Sequence, residues 1–470
     1  MSPELTDLRG RPVLVAGAGV SGLAAADALV ELGAEVTVAD GVASRLEELP
    51  AGARGALGLT EPPPGTALVV TSPGWRPDAP LLVAAARAGI EVIGEPELAW
   101  RWTRPGGPSA GAGPSAEVRW FAVTGTNGKT TTVGMLESIL LAAGRDVVAC
   151  GNVGTPVIDA VRGATPGRVR ELAVELSSFQ LYWSPSPRPA AGCLLNIAED
   201  HLDWHGGMAG YLAAKARVLT GAVAVGGVDD PVVAAALADA PARRRVGVTL
   251  GEPEDGQLGV AGGALLDRAF GAGPVPLAEV AGIRPAGPPG VLDALAAAAL
   301  ARVAGVSPEQ VAAGLAAFTP AAHRGGVVGE LGGVRFVDDS KATNPHAAAA
   351  ALAGHPRVVW IAGGQLKGAS VTDLIHQHAH RLVGVVLLGT DRGMFRDALL
   401  RHAPEVPTAE VPAGQDAPMT DAVRMAAGMA APGDVVLLAP AAASLDQFAG
   451  YADRGRAFAA AVAALAAVAR

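Results

Sequence analysis

The residues best suited to chemistry form one short segment, Gly125-Thr126-Asn127-Gly128-Lys129-Thr130, directly after the apolar run 118–123. Glycines let a loop turn its backbone N–H groups toward an anion, and a helix that begins directly afterwards adds its positive N-terminal end. Lys129 can reach a terminal phosphate, and Thr130 is placed to hold a magnesium ion. Because Val123 stands where the strict P-loop pattern has glycine, the segment is a variant phosphate loop. It predicts nucleotide binding, with a glycine-rich turn that binds no ligand as the alternative.

Length and composition limit what surrounds this loop. With 470 residues, the chain exceeds the roughly 100–200 residues usual for one domain, and we predict three domains at 1–116, 117–320 and 321–470. The glycine- and proline-rich segment 104–115 is the expected flexible linker. Half of the residues are apolar and only 17% are charged, which is typical of a globular protein. A net charge of −9 leaves no basic stripe, so we expect neither a nucleic acid nor an anionic membrane as partner.

Cysteine use and the N-terminus indicate the compartment. Cys150 and Cys193 are the only cysteines, and two thiols alone cannot complete a metal site. So few cysteines fit a reducing cytoplasm better than a secreted protein held by disulfides. Residues 1–7 lack the basic and apolar parts of a signal peptide, and the other apolar runs are short or broken by glycine. We therefore predict a cytoplasmic protein with two buried thiols and no membrane span.

A second glycine loop lies near the N-terminus. The apolar strand 13–16 leads into Gly17-x-Gly19-x-x-Gly22, and the strand 35–40 follows, a pattern typical of a Rossmann-like βαβ unit. Asp40, which ends the second strand, is placed to contact a ribose, so a nicotinamide- or flavin-dependent oxidoreductase is an alternative function. The diphosphate of any nucleotide satisfies the same loop, so this pattern leaves the ligand open.

Two polar clusters follow the phosphate loop. Glu175 ends the apolar strand 171–174, and a carboxylate at the carboxyl end of a central strand is well placed for magnesium, although a structural salt bridge would explain it as well. Residues 200–206, Asp-His-Leu-Asp-Trp-His-Gly, follow the next apolar strand and precede a helix that carries Lys215. A histidine in isolation is more often structural than catalytic, so the role of this cluster stays open on these grounds.

Several motifs resemble those of the Mur ligases, the cytoplasmic amide-forming enzymes of peptidoglycan synthesis. Gly-Thr-Asn-Gly-Lys-Thr at 125–130 resembles their ATP loop and that of the related folylpolyglutamate synthase, and the likeness continues through 175–181, 200–217, 339–344 and 435–458 in family order. Asp-Ser-Lys-Ala-Thr-Asn at 339–344 is most similar to the D-glutamate-adding branch. The Asp-Asn-Pro-Arg element of the branch that adds diaminopimelate or lysine is absent from the sequence.

The resemblance implies an α/β fold of three domains: a Rossmann-like N-terminal domain, a P-loop-type central ATPase domain with a parallel sheet, and a Rossmann-like C-terminal domain. It implies an ATP-dependent ligase that joins D-glutamate to UDP-N-acetylmuramoyl-L-alanine through an acyl phosphate. ATP, two Mg²⁺ ions and a carbamylated Lys215 are the expected cofactors, and a monomer is the expected state. A nucleotide-binding protein without catalysis is a third possibility, which would keep the glycine loops but need neither His201 nor Lys215.

The same resemblance assigns residues to each ligand. The expected catalytic residues are Lys129, Glu175, His201 and Lys215, and the expected metal ligands are Thr130, Glu175, His201 and Lys215. The expected ATP-binding residues are Gly125, Thr126, Asn127, Gly128, Lys129, Thr130, Thr131, Asp293, Arg324, Asp339 and Lys341. The residues expected to bind the UDP substrate are Gly19, Val20, Ser21, Gly22, Asp40, Ser72, Pro73, Gly74, Asn152, Ser177 and Gln180. Those expected to bind D-glutamate are His201, Lys341, Thr343, Lys367, Ser444 and Tyr451.

One segment departs from the family pattern. The central-domain helix of the family usually begins Gly-x-His-Asn-x-x-Asn-Ala, with asparagines that can recognise adenine, whereas this chain has Gly-Pro-Pro-Gly-Val-Leu-Asp-Ala at 287–294. Gly290 has no side-chain amide, and an ionised Asp293 can accept a hydrogen bond but cannot donate one. We therefore predict weaker recognition of the base, with capping of the following helix as the alternative role of Asp293.

Overall fold

The apolar run 13–16 lies in the central strand of a parallel sheet in the computed structural model, which describes residues 4–104, 107–108, 117–165, 168–412, 414 and 417–468. The elements of this N-terminal part are β1 (Pro12–Ala16), α1 (Val20–Leu32), β2 (Glu35–Asp40), β3 (Arg54–Leu57), β4 (Leu68–Thr71), α2 (Pro80–Arg87), β5 (Val92–Gly94) and α3 (Glu95–Trp102). The strand order is β3-β2-β1-β4-β5, and every pair is parallel. β4 is buried throughout and β1 nearly so, as the two covered faces of a parallel sheet require. The predicted Rossmann-like sheet is confirmed.

The central sheet begins with the strand that carries the phosphate loop. Its elements are β6 (Glu117–Thr124), α4 (Lys129–Ala142), β7 (Val147–Gly151), α5 (Val157–Arg162), β8 (Val169–Glu175), α6 (Ser178–Tyr182), β9 (Ala191–Leu194), α7 (Leu202–His205), α8 (Met208–Ala216), β10 (Val223–Gly227), α9 (Pro231–Ala238), β11 (Arg244–Val248), β12 (Gln257–Ala261), β13 (Ala264–Asp267), β14 (Val275–Glu279), α10 (Pro288–Val303) and α11 (Pro308–Ala317). The order is β14-β13-β12-β11-β10-β9-β6-β8-β7. Pairing is parallel from β7 to β12 and antiparallel at β13 and β14.

Residues 220–285 form one side of the central sheet. Five of the nine strands of the central sheet, β10 to β14, lie there and extend it on the side of β9. Only the hairpin strands β13 and β14 run antiparallel, and they end the sheet. The helix α9 connects the parallel strands β10 and β11, whereas the antiparallel hairpin of β13 and β14 needs no crossover helix.

The C-terminal part forms a third sheet. Its elements are β15 (Gly326–Leu331), β16 (Val334–Asp338), α12 (Pro345–Ala353), β17 (Val358–Gly363), α13 (Thr372–His378), β18 (Leu382–Leu388), α14 (Arg392–His402), β19 (Thr408–Glu410), α15 (Pro418–Met429), β20 (Val435–Leu438) and α16 (Tyr451–Val468). The order is β15-β16-β20-β17-β18-β19, with only the β15–β16 hairpin antiparallel. Apolar clusters cover both faces of this sheet, so the predicted α/β architecture holds here too.

Within the described residues the chain forms two compact units. The first extends to Gly282 and includes Leu292–Phe318, and the second consists of Ile283–Val291 and the residues from Thr319 onward. The core of the first unit joins apolar residues of the N-terminal and central sheets in one cluster. The predicted division into three domains stays a prediction, and most of the predicted linker 104–115 lies outside the described residues.

Two further expectations from the sequence concern thiols and membranes. Cys150 and Cys193 are both free and buried, as predicted. Burial raises the pKa of each thiol, so both are inert apolar groups of the core. Among the described residues, no helix combines the length and the apolar character needed to cross a bilayer.

One carboxyl group is buried within the first unit without a cation. Glu95, the first residue of α3, is 1% exposed, and its Oε1 accepts a hydrogen bond from the Ile158 amide at 2.6 Å. No described residue provides a hydrogen-bond partner for its Oε2. Burial raises the pKa of Glu95 to about 8, and the amide of Ile158 offsets only part of this effect. Glu95 is therefore protonated at neutral pH.

This carboxyl group should make stability depend on pH. Because its folded-state pKa is raised from 4.5 to about 8, the stabilisation is complete below pH 4.5 and is lost as pH rises through about 8. We expect the free energy of unfolding of the wild type to fall by about 2 kcal/mol relative to Glu95→Gln when pH is raised from roughly 6 to 9. Urea unfolding at both pH values measures the difference, with the exposed Glu61→Gln as control. Parallel pH profiles for the wild type and Glu95→Gln would show that Glu95 titrates normally.

Candidate active site

The phosphate loop joins β6 to α4 and is held in shape by the chain that follows β9. Gly128 occupies the N-cap of α4 with φ 85°, a left-handed conformation that glycine adopts without strain. Asn196 Oδ1 accepts from the Asn127 amide at 2.9 Å, and its Nδ2 donates to the Asn127 carbonyl at 3.2 Å. The Asn196 carbonyl accepts from the Thr126 amide at 3.0 Å. These bonds fix the backbone of the loop from one side.

Two lysine side chains converge on a single carbonyl oxygen of this loop. Lys129 Nζ donates to the carbonyls of Gly125 and Thr126, both at 2.9 Å. Lys215 Nζ, from α8, donates to the same Gly125 oxygen at 2.7 Å and lies 3.4 Å from Thr124 Oγ1. The structure therefore brings together two candidate catalytic residues that are 86 positions apart in the sequence (215 − 129).

The environment of Lys215 disfavours its charged form. The side chain is 2% exposed. Burial holds the pKa of Lys215 well below its usual range, and the neighbouring charge of Lys129 lowers it further, while Asp200 and Glu175 act in the opposite direction. No described residue forms an ion pair with its ammonium group, so Lys215 is a candidate for a neutral amine.

Glu175 meets the first turn of α4. Thr130 Oγ1 donates to Glu175 Oε2 at 2.6 Å, and Asn152 Nδ2 donates to Glu175 Oε1 at 2.9 Å. The salt bridge considered as an alternative for Glu175 is not formed within the described part of the chain. A hydroxyl and a carboxylate oxygen at this separation suit Mg²⁺ at a phosphate site. Among the described residues, no group of three or more His, Cys, Asp or Glu side chains forms a metal cage.

The two histidines of the 200–206 cluster differ in environment. His201 is about half exposed, lies 3.5 Å from Asp200 Oδ1 and has φ 52°, a backbone conformation that is sparsely populated outside glycine. His205 Nε2 is 2.9 Å from Ser178 Oγ, and its ring stacks on Phe179 with a centroid separation of 5.6 Å. Burial lowers the pKa of His205 to about 4. His201 is thus the accessible imidazole, and His205 is a neutral packing residue.

The N-terminal glycine loop packs against the end of β4. A Cβ atom at position 22 would lie 1.8 Å from the carbonyl oxygen of Gly17, so this close approach requires glycine. Ser72 Oγ donates to the same Gly17 oxygen at 3.1 Å. The predicted residues around this contact are partly or well exposed and form an open edge: Gly19, Val20, Ser21, Pro73 and Gly74.

Asp40 shapes this loop from the end of β2. Its Oδ2 accepts from the Ala18 amide and its Oδ1 from the Val42 amide, both at 2.9 Å. Both carboxylate oxygens therefore bind backbone N–H groups of the protein. This arrangement leaves Asp40 less suited to bind a ribose, which weakens the argument for a nicotinamide cofactor.

Two predicted substrate residues have a structural role at the start of α6. Ser177 Oγ accepts from the Gln180 amide at 3.2 Å, and Gln180 Oε1 accepts from the Ser177 amide at 2.9 Å. This reciprocal pair is a capping box, which fixes the N-terminus of the helix. Their assignment to the UDP substrate stays a prediction, and the sequence Ser-x-x-Gln was itself a signal for the cap.

Asp293 lies beneath the phosphate loop. α10 begins at Pro288, so Asp293 is inside the helix and the alternative that it caps the helix is wrong. Its Oδ1 accepts a hydrogen bond from Thr132 Oγ1 at 3.1 Å, and a Cβ atom added to Gly128 would lie 2.2 Å from that oxygen. The carboxylate thus supports the turn that begins α4.

In the second unit, the predicted D-glutamate residues follow neighbouring strands. Lys341 and Thr343 come after β16, Lys367 after β17 and Ser444 after β20, and these strands are adjacent in the order β16-β20-β17. Lys341 Nζ lies 4.9 Å from the ring centroid of Tyr451, at the start of α16. Carboxyl ends of parallel strands meet at one edge, so the fold gathers these residues at that edge.

Two of the predicted ATP residues of the second unit, Arg324 and Asp339, carry opposite charges that interact. Burial raises the pKa of Asp339 to about 7, and the charge of Arg324 partly offsets this effect. The adjacent residues are paired as well, because His323 Nδ1 is 2.6 Å from Asp338 Oδ2. A cation that binds beside Asp339 would favour its ionised form.

Two residues at the site, Asn196 and Tyr211, are not among the candidates predicted from the sequence. Asn196 holds the phosphate loop, and Tyr211 OH lies 3.0 Å from Thr126 Oγ1. A polar residue directly after an apolar strand was a usable signal for Asn196. No local signal distinguishes Tyr211, because it reaches the loop only through the packing of α8.

Comparison with known proteins agrees with this geometry. Residues 123–257 match the Mur ligase middle domain, residues 323–442 match the Mur ligase, glutamate ligase domain, and residues 5–59 match the alanine dehydrogenase/PNT C-terminal domain. A UDP-N-acetylmuramoylalanine--D-glutamate ligase of Rhodococcus jostii is 54% identical over 96% of this chain and 95% of its own length. An enzyme of the same name from Thermobifida fusca is 54% identical over 98% of this chain and 100% of its own. The chain belongs to the Mur ligase family.

Solved structures of other Mur ligases share the fold. A MurF ligase from Thermotoga maritima in complex with ADP superimposes with a TM-score of 0.56 at 17% identity, covering 98% of this chain and 96% of its own. A UDP-N-acetylmuramate-alanine ligase from the same organism gives 0.55 at 16% identity over 97% and 99%. The match to alanine dehydrogenase/PNT covers only the Rossmann-like start of this Mur ligase, so the oxidoreductase alternative is not favoured.

The position of Asp293 gives a test of base recognition in this Mur ligase. Asp293→Asn removes a negative charge beside the phosphate loop and supplies an amide that can donate to adenine, so we expect ATP to bind about tenfold more tightly. Isothermal titration with ATP and GTP separates the two effects. A larger gain for ATP supports adenine recognition, and equal gains support the charge effect alone. Asp293→Ala, which leaves Thr132 Oγ1 without this acceptor, should lose thermal stability. Unchanged affinities in Asp293→Asn would contradict the prediction.

Proposed function

We propose that this Mur ligase joins D-glutamate to UDP-N-acetylmuramoyl-L-alanine with ATP as the energy source. The observation that carries the proposal is the convergence of Lys129 and Lys215 on Gly125, beside the Thr130–Glu175 pair. This site occurs in a chain that is 54% identical, over nearly its whole length, to enzymes named for that reaction.

Amide formation needs an activated carboxyl group. In the proposed reaction, an oxygen of the alanyl carboxylate attacks the γ-phosphorus of ATP, the bond to the β,γ-bridging oxygen breaks, and ADP leaves with that electron pair. The amine of D-glutamate then attacks the acyl carbon. The carbon–oxygen bond to phosphate breaks, phosphate leaves with the electron pair, and the nitrogen loses one proton.

The phosphate loop would lower the barrier to the first step. Negative charge builds up where the alanyl carboxylate approaches the γ-phosphoryl group, and fixed positive groups offset it. Lys129 turns from the Gly125 carbonyl to the γ-phosphate, and the backbone N–H groups at the start of α4 face the phosphates. His201, the accessible imidazole of its cluster, lies on the substrate side of this arrangement in our proposal.

Two Mg²⁺ ions are part of the proposal. Thr130 Oγ1 and Glu175 Oε2 are oxygen donors 2.6 Å apart and fit one ion, whose remaining ligands come from phosphate and water. His201 and a carbamate on Lys215 would hold the other. Bound Mg²⁺ neutralises phosphate charge and polarises the phosphoryl oxygens.

The carbamate on Lys215 follows from the chemistry of its amine. Carbon dioxide adds only to a neutral amine, and burial holds the pKa of Lys215 well below its usual range. The amine nitrogen attacks the carbon of CO₂, one C–O π bond breaks, and the nitrogen loses a proton. The resulting carbamate would place a negative charge beside Lys129, where the neutral amine had shared the Gly125 oxygen with it.

The second unit would bind the amino-acid substrate. D-glutamate has two carboxylates, and the proposed partners Lys341, Thr343, Lys367, Ser444 and Tyr451 bind them through charge-assisted hydrogen bonds. Arg324, Asp339 and Lys341 are the proposed ATP contacts of this unit. Because ATP and a UDP-linked precursor are the proposed substrates, we also propose a cytoplasmic location, and a monomer as the working state.

Phosphate release tests the function directly. We expect release from ATP only when UDP-N-acetylmuramoyl-L-alanine and D-glutamate are both present, together with a product that contains one more glutamate. Lys129→Ala should reduce kcat by at least about 10³-fold, since the charge that offsets the γ-phosphate is lost. The control Arg401→Ala removes an exposed cation of α14 and should leave turnover unchanged. Near-normal turnover in Lys129→Ala would contradict the phosphate-loop assignment.

The carbamate has its own spectroscopic test. With ¹³C-labelled bicarbonate, the protein should show a carbamate ¹³C signal that disappears in Lys215→Ala and persists in Lys367→Ala. Lys215→Ala should also be inactive, and acetate or formate should restore part of its activity by replacing the missing carboxylate. A wild-type spectrum without a carbamate signal, together with no rescue, would exclude the modification.

A further inference from the structure

One arginine of the second unit is buried among loops instead of acids. Arg454, in the first turn of α16, is 1% exposed and is one of the largest fully buried side chains of the protein. No described carboxylate forms an ion pair with it. Burial lowers the pKa of Arg454 to about 10, so the group stays charged at neutral pH. A buried cation of this kind needs its N–H groups satisfied by other oxygens.

These oxygens belong to three separate loops. Arg454 Nε donates to Ser340 Oγ at 3.1 Å, and one terminal nitrogen donates to the Ser340 carbonyl at 2.9 Å. The other terminal nitrogen donates to the Ala442 carbonyl at 3.1 Å and lies 3.5 Å from the Gly363 carbonyl. Ser340, Gly363 and Ala442 lie at or just beyond the carboxyl ends of β16, β17 and β20, which are neighbours in the sheet. One planar guanidinium group therefore joins three strand ends.

Each of these loops carries candidate ligands for the amino acid. Lys341 directly follows Ser340, and Ser444 lies two residues beyond Ala442. Lys367 follows the loop that Gly363 begins. The same network reaches α16 a second time, because Ser340 Oγ donates to the Tyr451 carbonyl at 2.7 Å.

Two of these loops contain a residue with a strained backbone conformation, which the hydrogen bonds of Arg454 would help to hold. Lys367 has φ 52° and Ala441 has φ 59°, values that non-glycine residues adopt only when the surroundings enforce them. Ala441 stands directly before the Ala442 carbonyl that Arg454 binds. A lysine at position 454 would keep the charge but would offer three N–H groups from one nitrogen, and it cannot reproduce the planar fork that spans the loops.

We propose that Arg454 is a positioning residue that sets the spacing of the three loops holding the carboxylates of the amino-acid substrate, without contacting that substrate. The proposal rests on the proposed function, in which these loops bind D-glutamate. It predicts a larger effect on the amino acid than on ATP. All three loops carry proposed D-glutamate ligands, whereas only the loop at Ser340 carries proposed ATP contacts, and the phosphate loop belongs to the first unit.

The test is a kinetic comparison of Arg454→Lys with the wild type. We expect KM for D-glutamate to rise about tenfold or more, KM for ATP to rise by a clearly smaller factor, and KM for UDP-N-acetylmuramoyl-L-alanine to change by less than about twofold. Formation of the acyl phosphate without D-glutamate, trapped by borohydride reduction, should be retained. Phe458→Leu removes core volume from the same helix but no bond to a loop, so it should lower Tm and leave KM for D-glutamate unchanged.

A second variant keeps the test decisive if Arg454→Lys does not fold. Ser340→Ala removes only the hydroxyl group that bridges Arg454 and Tyr451, and it should raise KM for D-glutamate in the same selective way, by about threefold to tenfold. An unchanged KM for D-glutamate in a folded Arg454→Lys or Ser340→Ala protein overturns the proposal. An equal rise in Phe458→Leu also overturns it, because the effect would then reflect stability alone. A wild-type protein that releases no phosphate with D-glutamate instead overturns the proposed function, and this proposal with it.

Discussion

Two ammonium groups share one carbonyl oxygen, that of Gly125, and the first unit is arranged around this contact. Like charges at such close range are costly unless one is neutralised or an anion is added. Both conditions can be met in this protein. Lys215 is buried and its pKa is lowered, which favours the neutral amine, and Lys129 is the first residue of α4, where the N-terminus of the helix attracts an anion. A backbone loop with a lysine at the start of a helix is suited to bind phosphate.

Lysine and arginine have separate tasks in this chain. The sequence contains only four lysines, at 129, 215, 341 and 367, and all four are candidate site residues, whereas arginine provides the rest of the positive charge. A lysine amine can lose its proton, can then react with CO₂, and sits on a flexible side chain that can change position. An arginine guanidinium group stays protonated and does not react with CO₂ in this way. Arg454 has a structural role instead, because its planar guanidinium group donates several hydrogen bonds to residues near the ends of strands. The division follows from the chemistry of the two cations.

Three buried acids of the first unit hold the backbone or a neighbouring hydroxyl group in place. Asp40 accepts two backbone N–H groups, and Asp293 supports the turn at Gly128. Glu95 accepts a single backbone N–H group and is neutral at pH 7. In each case the carboxyl group satisfies donors at the end of a strand or the start of a helix, which are the places where ligand loops must be held. These carboxyl groups therefore contribute to the rigidity of the chain segments that they bind.

The sequence by itself determined the fold class, the two glycine loops and the family, because apolar strands, glycine turns and the lysine-threonine pair at 129–130 are local patterns with local physical causes. It also placed Lys215 and the loop residues 339–344 among the candidates through motifs. Only the tertiary structure decided that Lys215 meets Lys129 on one oxygen, that Asp293 lies inside α10 against the phosphate loop, and that Arg454 joins three loops. These facts depend on hydrogen bonds between residues distant in the chain, and such contacts are set by how helices pack on the sheets, which spacing along the sequence does not encode.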